Sequence, residues 1–107
     1  MLDLRFVREN PETVRRAMRA KMMEADLPRL ENLLRLDEEH RLVRSDLEEK
    51  QARRNADSRL VGEMKRRGED DPELMARLSE LSGEVKRLEE TERSLEQQIG
   101  QLMLAIP

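Results

Sequence analysis

Beyond Pro28 the apolar residues return at alternating steps of three and four. Counted from Leu33, these steps visit Leu36, His40, Val43, Leu47, Lys50, Arg54, Asp57, Val61 and Met64, a seam apolar at both ends and charged in its middle. A second run is cleaner: Leu74, Leu78, Leu81, Val85, Leu88, Glu92, Leu95, Ile99, Leu102 and Ile106. Spacing of this kind, sustained over several heptads, predicts coiled-coil helices. No proline lies between Pro28 and Pro72, so one helix over 28–67 is expected, about 60 Å long at ~1.5 Å per residue.

Gly68-Glu69-Asp70-Asp71-Pro72 separates the runs. Glycine suits a helix C-terminus, and an aspartate ahead of proline suits the N-cap of the next helix. Two heptad helices of similar length joined by so short a turn fold back on each other. The predicted fold is therefore all-α, a long antiparallel helical hairpin. Pairing about the middle of the turn sets Val61 against Leu78, Val43 against Leu95 or Glu96, and His40 against Ile99. It places Lys50 near Glu89 or Glu92, where a polar seam position can lock register, and Arg54 near Glu84 or Glu89.

Short helices precede the hairpin. Asp3 can cap a turn holding Leu4, Phe6 and Val7, and Asn10-Pro11 reads as an N-cap followed by proline at the first helical position. The helix from Pro11 would show Val14, Ala17 and Met18 on one side and Arg15, Arg16 and Arg19 on the other, ending near Lys21-Met22-Met23. Asp26 can cap the next helix, with Pro28 tolerated in its first turn. The chain is thus read as one domain over 1–107: short helices over 1–27, a first long helix over 28–67, a tip over 68–72 and a second long helix over 73–106.

Composition sharpens this. Of 107 residues 42% are charged and 36% hydrophobic, and Phe6 is the single aromatic. Such a chain suits long exposed helices and excludes a β-sandwich, a barrel or a nucleotide-binding α/β core. Without cysteine, thiolate metal sites and disulfides are excluded, and one histidine, His40, makes no metal cluster. His40 reads as a packed seam residue, and the methionines at 18, 22, 23, 64 and 75 read as adaptable packing. There is no phosphate-cradling glycine loop and no nucleophile beside a base, so no catalytic residue and no cofactor is assigned. The opening is neither a signal peptide nor a membrane span, which gives a soluble, cytoplasmic expectation.

Charge distribution carries the one functional signal. The net charge is −3, yet residues 50–67 hold seven cations and two carboxylates, while residues 69–107 hold four cations and ten carboxylates. A charge run is ordinarily a solvated helix face. An exposed helix, however, normally alternates sign for i,i+4 pairing, and this stretch forgoes it. A thin basic helix suits RNA, which is recognised largely through phosphates, riboses and shape. Lack of aromatics argues against base stacking. The candidate RNA contacts are Arg53, Arg54, Arg59, Lys65, Arg66 and Arg67, with Arg77 and Arg87 from the return helix.

The opening Leu2-Asp3-Leu4-Arg5-Phe6-Val7-Arg8-Glu9-Asn10-Pro11-Glu12, the hairpin carrying Arg54-Asn55, and the closing Leu102-Met103-Leu104-Ala105-Ile106-Pro107 together resemble the N-terminal domain of bacterial seryl-tRNA synthetases. That resemblance implies a tRNA-binding arm that lies against the long variable arm of serine tRNA, usually held by the other subunit of a homodimer. It also implies a separate class II catalytic domain, where ATP and serine would bind and aminoacylation would occur. Lys50 and Asp57 depart from the family, which generally places large aliphatics there. A different kind of reading is a coiled-coil protein-interaction or oligomerisation module that binds no RNA.

The hairpin reading makes a solution-scattering prediction. The radius of gyration should lie far above the value of about 13 Å expected for a compact domain of this length; a value near the compact one would refute the hairpin.

Overall fold

The computed structural model describes residues 3–20 and 26–106. Four helices lie among them: α1 (Leu4–Glu9), α2 (Pro11–Ala20), α3 (Leu27–Arg66) and α4 (Pro72–Ala105). The described residues contain no strand, and the long helices α3 and α4 pack together. The expected end of α2 near Lys21-Met22-Met23, and the packing of Met22 and Met23, fall outside the described residues. No described helix is long and apolar enough to cross a membrane.

Local chemistry explains where the helices begin and end. The Asp3 carboxylate accepts from the Arg5 backbone N–H at 3.0 Å, capping α1. Asn10 then does something other than expected. Its carbonyl opens α2 by accepting from Val14 N–H at 3.2 Å, but its side-chain amide donates back to the Phe6 carbonyl at 3.2 Å. The side chain therefore closes α1 instead of capping α2. Pro11 holds the first position of α2, where a missing N–H costs nothing.

At the tip, Gly68 adopts φ +73°. The Glu69 N–H donates to the Met64 carbonyl at 2.9 Å and the Gly68 N–H to the Lys65 carbonyl at 3.1 Å, the paired bonds of a Schellman cap. Asp71 accepts from Leu74 N–H at 3.1 Å and starts α4, with Pro72 at the first helical position.

This reversal sets a different register from the symmetric one. His40 stands 3.3 Å from Glu96, Arg44 3.2 Å from Glu92, and Lys50 4.0 Å from Glu84, each three to five residues short of pairing about the turn's middle. Val61 accordingly shares a cleft with Leu74. The chain turns back at the left-handed Gly68, ahead of the centre of segment 68–72. Lys50 consequently meets Asp46 at 2.7 Å and Glu84, and neither Glu89 nor Glu92.

The seam itself is as read. On the second long run every seam position from Leu74 to Ile106 is buried or half-buried, and on α3 the same holds for the seam positions from Leu33 to Met64, charged members included. The residues form two compact units, 1–41 with 93–107, and 42–92. In the first, Val7, Val14, Met18, Leu30, Leu33, Leu36, Leu95, Ile99 and Ile106 are the buried apolar residues. Ala17, expected beside Val14 and Met18, is exposed. In the second, Leu47, Val61, Leu74, Leu81 and Val85 are buried.

Two ion-pair clusters bind the short helices to α3. Arg8 grips Asp37 with two hydrogen bonds of 2.7 Å each, Nε to Oδ2 and Nη2 to Oδ1. Asp37 is 2% exposed, the one buried charge among the described residues. The Arg8 guanidinium holds its carboxyl below the usual carboxylate range, against the opposing effect of burial. On α2, Arg15 bonds Glu12 at 2.6 Å and Glu31 of α3 through Nη2 at 2.9 Å and through Nε. That guanidinium likewise depresses the Glu31 carboxyl.

Both carboxyls are depressed, so their stabilisation is complete above their ordinary values near 4. It fades as pH falls through the lower folded values. Chemical denaturation should show stability level near neutrality and declining below about pH 4. Asp37→Asn should cost about 1–2 kcal/mol at pH 7, because a charged hydrogen-bonded pair is lost while Arg8 keeps some solvent. It should also flatten the acid decline; an unchanged acid limb would overturn the assignment.

Glycines give a second check. Gly100 has open space where a Cβ would stand, whereas Gly68 needs its positive φ. Thermal unfolding should show Gly100→Ala stabilising by about 1 kcal/mol and Gly68→Ala destabilising by about 1–2 kcal/mol.

Candidate nucleic-acid interface

Helix α3 presents residues at about 100° intervals, so the basic stretch is distributed around it by sequence position alone. Arg54 occupies the seam and is half-buried, while Arg53, Arg59, Lys65, Arg66 and Arg67 are exposed. Arg59 follows Asp57 by two positions and precedes Val61 by two, which turns it away from α4. Arg66 lies seven residues further along the same face.

The remaining candidates divide differently. Arg53 and Arg77 line one open groove between α3 and α4 together with Asp57, Glu80, Leu81 and Glu84. Arg87 borders a neighbouring groove with Asp46, Lys50, Glu84, Leu88 and Thr91. Both grooves mix charge of either sign. Lys65 borders a cleft at the tip beside Glu69, Asp70 and Asp71. The eight candidates thus lie on several sides of the hairpin and do not form one patch.

Ion pairing separates them further. Arg53 reaches Glu49 at 3.5 Å and Arg67 reaches Glu69 at 3.4 Å. Arg54, Arg59, Lys65, Arg66, Arg77 and Arg87 make no ion pair among the described residues. Arg54 was expected to be drawn to Glu84 or Glu89. Lys50 takes Glu84 instead, and its ammonium is held above its ordinary pKa first by the hydrogen bond to Asp46.

The contrast with the first unit is sharp. There Arg5, Arg8, Arg15, Arg29, Arg35 and Arg41 hold carboxylates, while Arg16, Arg19 and Arg93 make no ion pair among the described residues. Arg8 and Arg15, which attach the short helices, both find acids; most of the candidates on α3 do not. Sequence reasoning missed the cross-helix pair Arg44–Glu92 at 3.2 Å, because its register depends on the reversal at Gly68. It also missed the anchoring role of Arg15, read only as lying on the side opposite Val14, Ala17 and Met18.

Comparison with known proteins bears on the whole chain. A family model described as the seryl-tRNA synthetase N-terminal domain matches residues 1–107. A serine–tRNA ligase of Symbiobacterium thermophilum is 37% identical over 107 residues, covering 100% of this chain and 25% of that protein. Those of Deinococcus radiodurans and Clostridium tetani are 39% and 32% identical over the same length, covering 24% and 25% of those proteins. The chain spans about a quarter of the length of the curated relatives it matches.

Proposed function

The chain belongs to the seryl-tRNA synthetase N-terminal domain family, and from that premise we propose that it is the tRNA-binding arm of a serine–tRNA ligase. Its ligand is serine tRNA, recognised by the shape of the long variable arm and by contacts to phosphates. Aminoacylation belongs to a class II catalytic domain outside these 107 residues, which binds ATP and serine. The parent enzyme acts as a homodimer in the cytoplasm.

The observation that carries this reading is the unpaired positive charge of α3. Seven cations stand against two carboxylates over 50–67, and Arg54, Arg59, Lys65 and Arg66 have no carboxylate partner among the described residues. Cations left without partners keep their full field for a ligand. Phosphates satisfy that field by releasing counterions, and arginine's planar fork matches phosphate oxygens.

Binding of a serine tRNA transcript, measured across a salt series, tests the reading. Affinity should fall steeply with salt, with a log–log slope of order the number of phosphates engaged. Changing Arg59, Arg66 and Arg67 to Gln should weaken binding at least tenfold and flatten the slope while leaving helicity intact, since Gln is a good helix former. Arg16→Gln with Arg19→Gln is the control; Arg15 is left in place because it anchors α2. Unchanged affinity and slope in the triple variant would make the stretch a solvated face and favour the protein-interaction alternative.

A further inference from the structure

We propose that the flank of α3 between Leu42 and Leu60 is a contact for a second copy of this chain, laid antiparallel to the first about a two-fold axis at residue 51. The contact lies on α3 itself and does not depend on the tRNA reading.

The first observation is apolar exposure. Among the described residues, Leu42 and Leu60 are the exposed large hydrophobics of α3, at 65% and 43%. A single exposed leucine is ordinary on a protein surface. These two, however, are 18 residues apart, about five full turns of an α-helix. They share one line along α3, separated by about 27 Å at ~1.5 Å per residue. Both belong to the unit 42–92.

The second observation is the charge between them. Glu49 and Arg53 fall within about 20° of the same line. Both are exposed, and they reach each other at 3.5 Å. Residue 51 stands nine positions from each leucine and two from each of these charges.

An isologous contact needs this property, because residue i meets j and j meets i. Turning a second α3 antiparallel about residue 51 sets each Leu42 on the other copy's Leu60, and each Glu49 on the other copy's Arg53. Asp46, held by Lys50 at 2.7 Å, falls opposite the small Ala56. A parallel copy in register would instead oppose Glu49 to Glu49 and Arg53 to Arg53. Charge therefore selects the antiparallel order.

The same symmetry limits the contact. Beyond the leucines it would bring Glu63 towards the other copy's Glu39, and like charges end the pairing there. Four leucines around two ion pairs make a small interface, below the roughly 1,200 Å² of stable complexes. The association is then transient, with a dissociation constant of about 0.1–1 mM.

Sedimentation velocity of the 107-residue chain, up to about 1 mM, reads this association. The weight-average mass should climb from the monomer towards the dimer. Leu42→Gln with Leu60→Gln should hold it at the monomer value, with helicity unchanged by circular dichroism. Charge exchange tests the register: Glu49→Arg and Arg53→Glu should each abolish association alone, and an equimolar mixture of the two should restore it. The chain has no native cysteine, so disulfide trapping tests the order. Leu42→Cys mixed with Leu60→Cys in a glutathione redox buffer should give the mixed disulfide in excess of a random distribution. A mass fixed at the monomer value, a leucine variant that still associates, or a random distribution of disulfides overturns the proposal. If the chain stays monomeric and the leucine variant loses serine tRNA binding, the flank belongs to RNA and the proposal falls.

Discussion

A two-helix hairpin has one buried seam, and every seam position must be covered from the single helix opposite. This constraint governs the long helices. On α4 the seam is apolar except at Glu92, and Val85 is 1% exposed. Facing it, α3 offers no apolar seam residue between Leu47 and Val61. The cover over α4 must then come from the aliphatic stems of Lys50 and Arg54, whose charged ends reach outward. Lys50 does so by meeting Asp46 and Glu84. The open grooves flanking this region are lined by Arg53, Asp57, Lys50 and Arg87, where long polar chains replace the knobs that leucines would supply.

Within the first unit the constraint is relieved, because α1 and α2 add a second set of apolar partners. Val7, Leu30 and Leu33 are 0% exposed, more completely buried than the seam residues Leu47, Val61 and Leu81. Short helices cannot hold themselves together in water, so their attachment needs more than a cap. The Arg8–Asp37 fork and the Arg15–Glu31 pair supply direction as well as attachment. A bidentate guanidinium accepts only a narrow range of angles, which fixes how α1 and α2 sit against α3.

What was legible in the sequence follows from range. Features decided within one or two turns were readable: the seam on both helices, Asp3 as a cap and an aspartate ahead of Pro72 as another, Gly68 as the helix terminus, Pro11 as a first residue. Features decided by distant partners were not. Asp37 reads as one more acid in a charged helix, and nothing local says that Arg8, 29 residues earlier, will bury it. Register fell between these cases. The turn residues were identified correctly, but the reversal occurs at Gly68 itself, and this shift re-paired Lys50 and left Arg54 without an acid. Asn10 shows the same limit in miniature, since its side chain had two helix ends within reach and closed the first.

Among the candidate contacts, Arg59 stands apart for the opposite reason: the fold makes no demand on it. Charges recruited into packing can be recognised by their partners, as at Arg8, Arg15, Arg44 and Lys50. Arg59 serves no such purpose. It lies outside the seam, two turns before the end of α3 and without a carboxylate partner among the described residues. An isolated helix would be slightly better served by an acid one turn from each cation with the pair formed, and Glu63 stands at that distance without pairing. A side chain whose charge the structure neither needs nor neutralises is free to be set by a ligand. On a hairpin with one seam, such positions lie on the faces turned away from it, and Arg59 and Arg66 are two of them on α3.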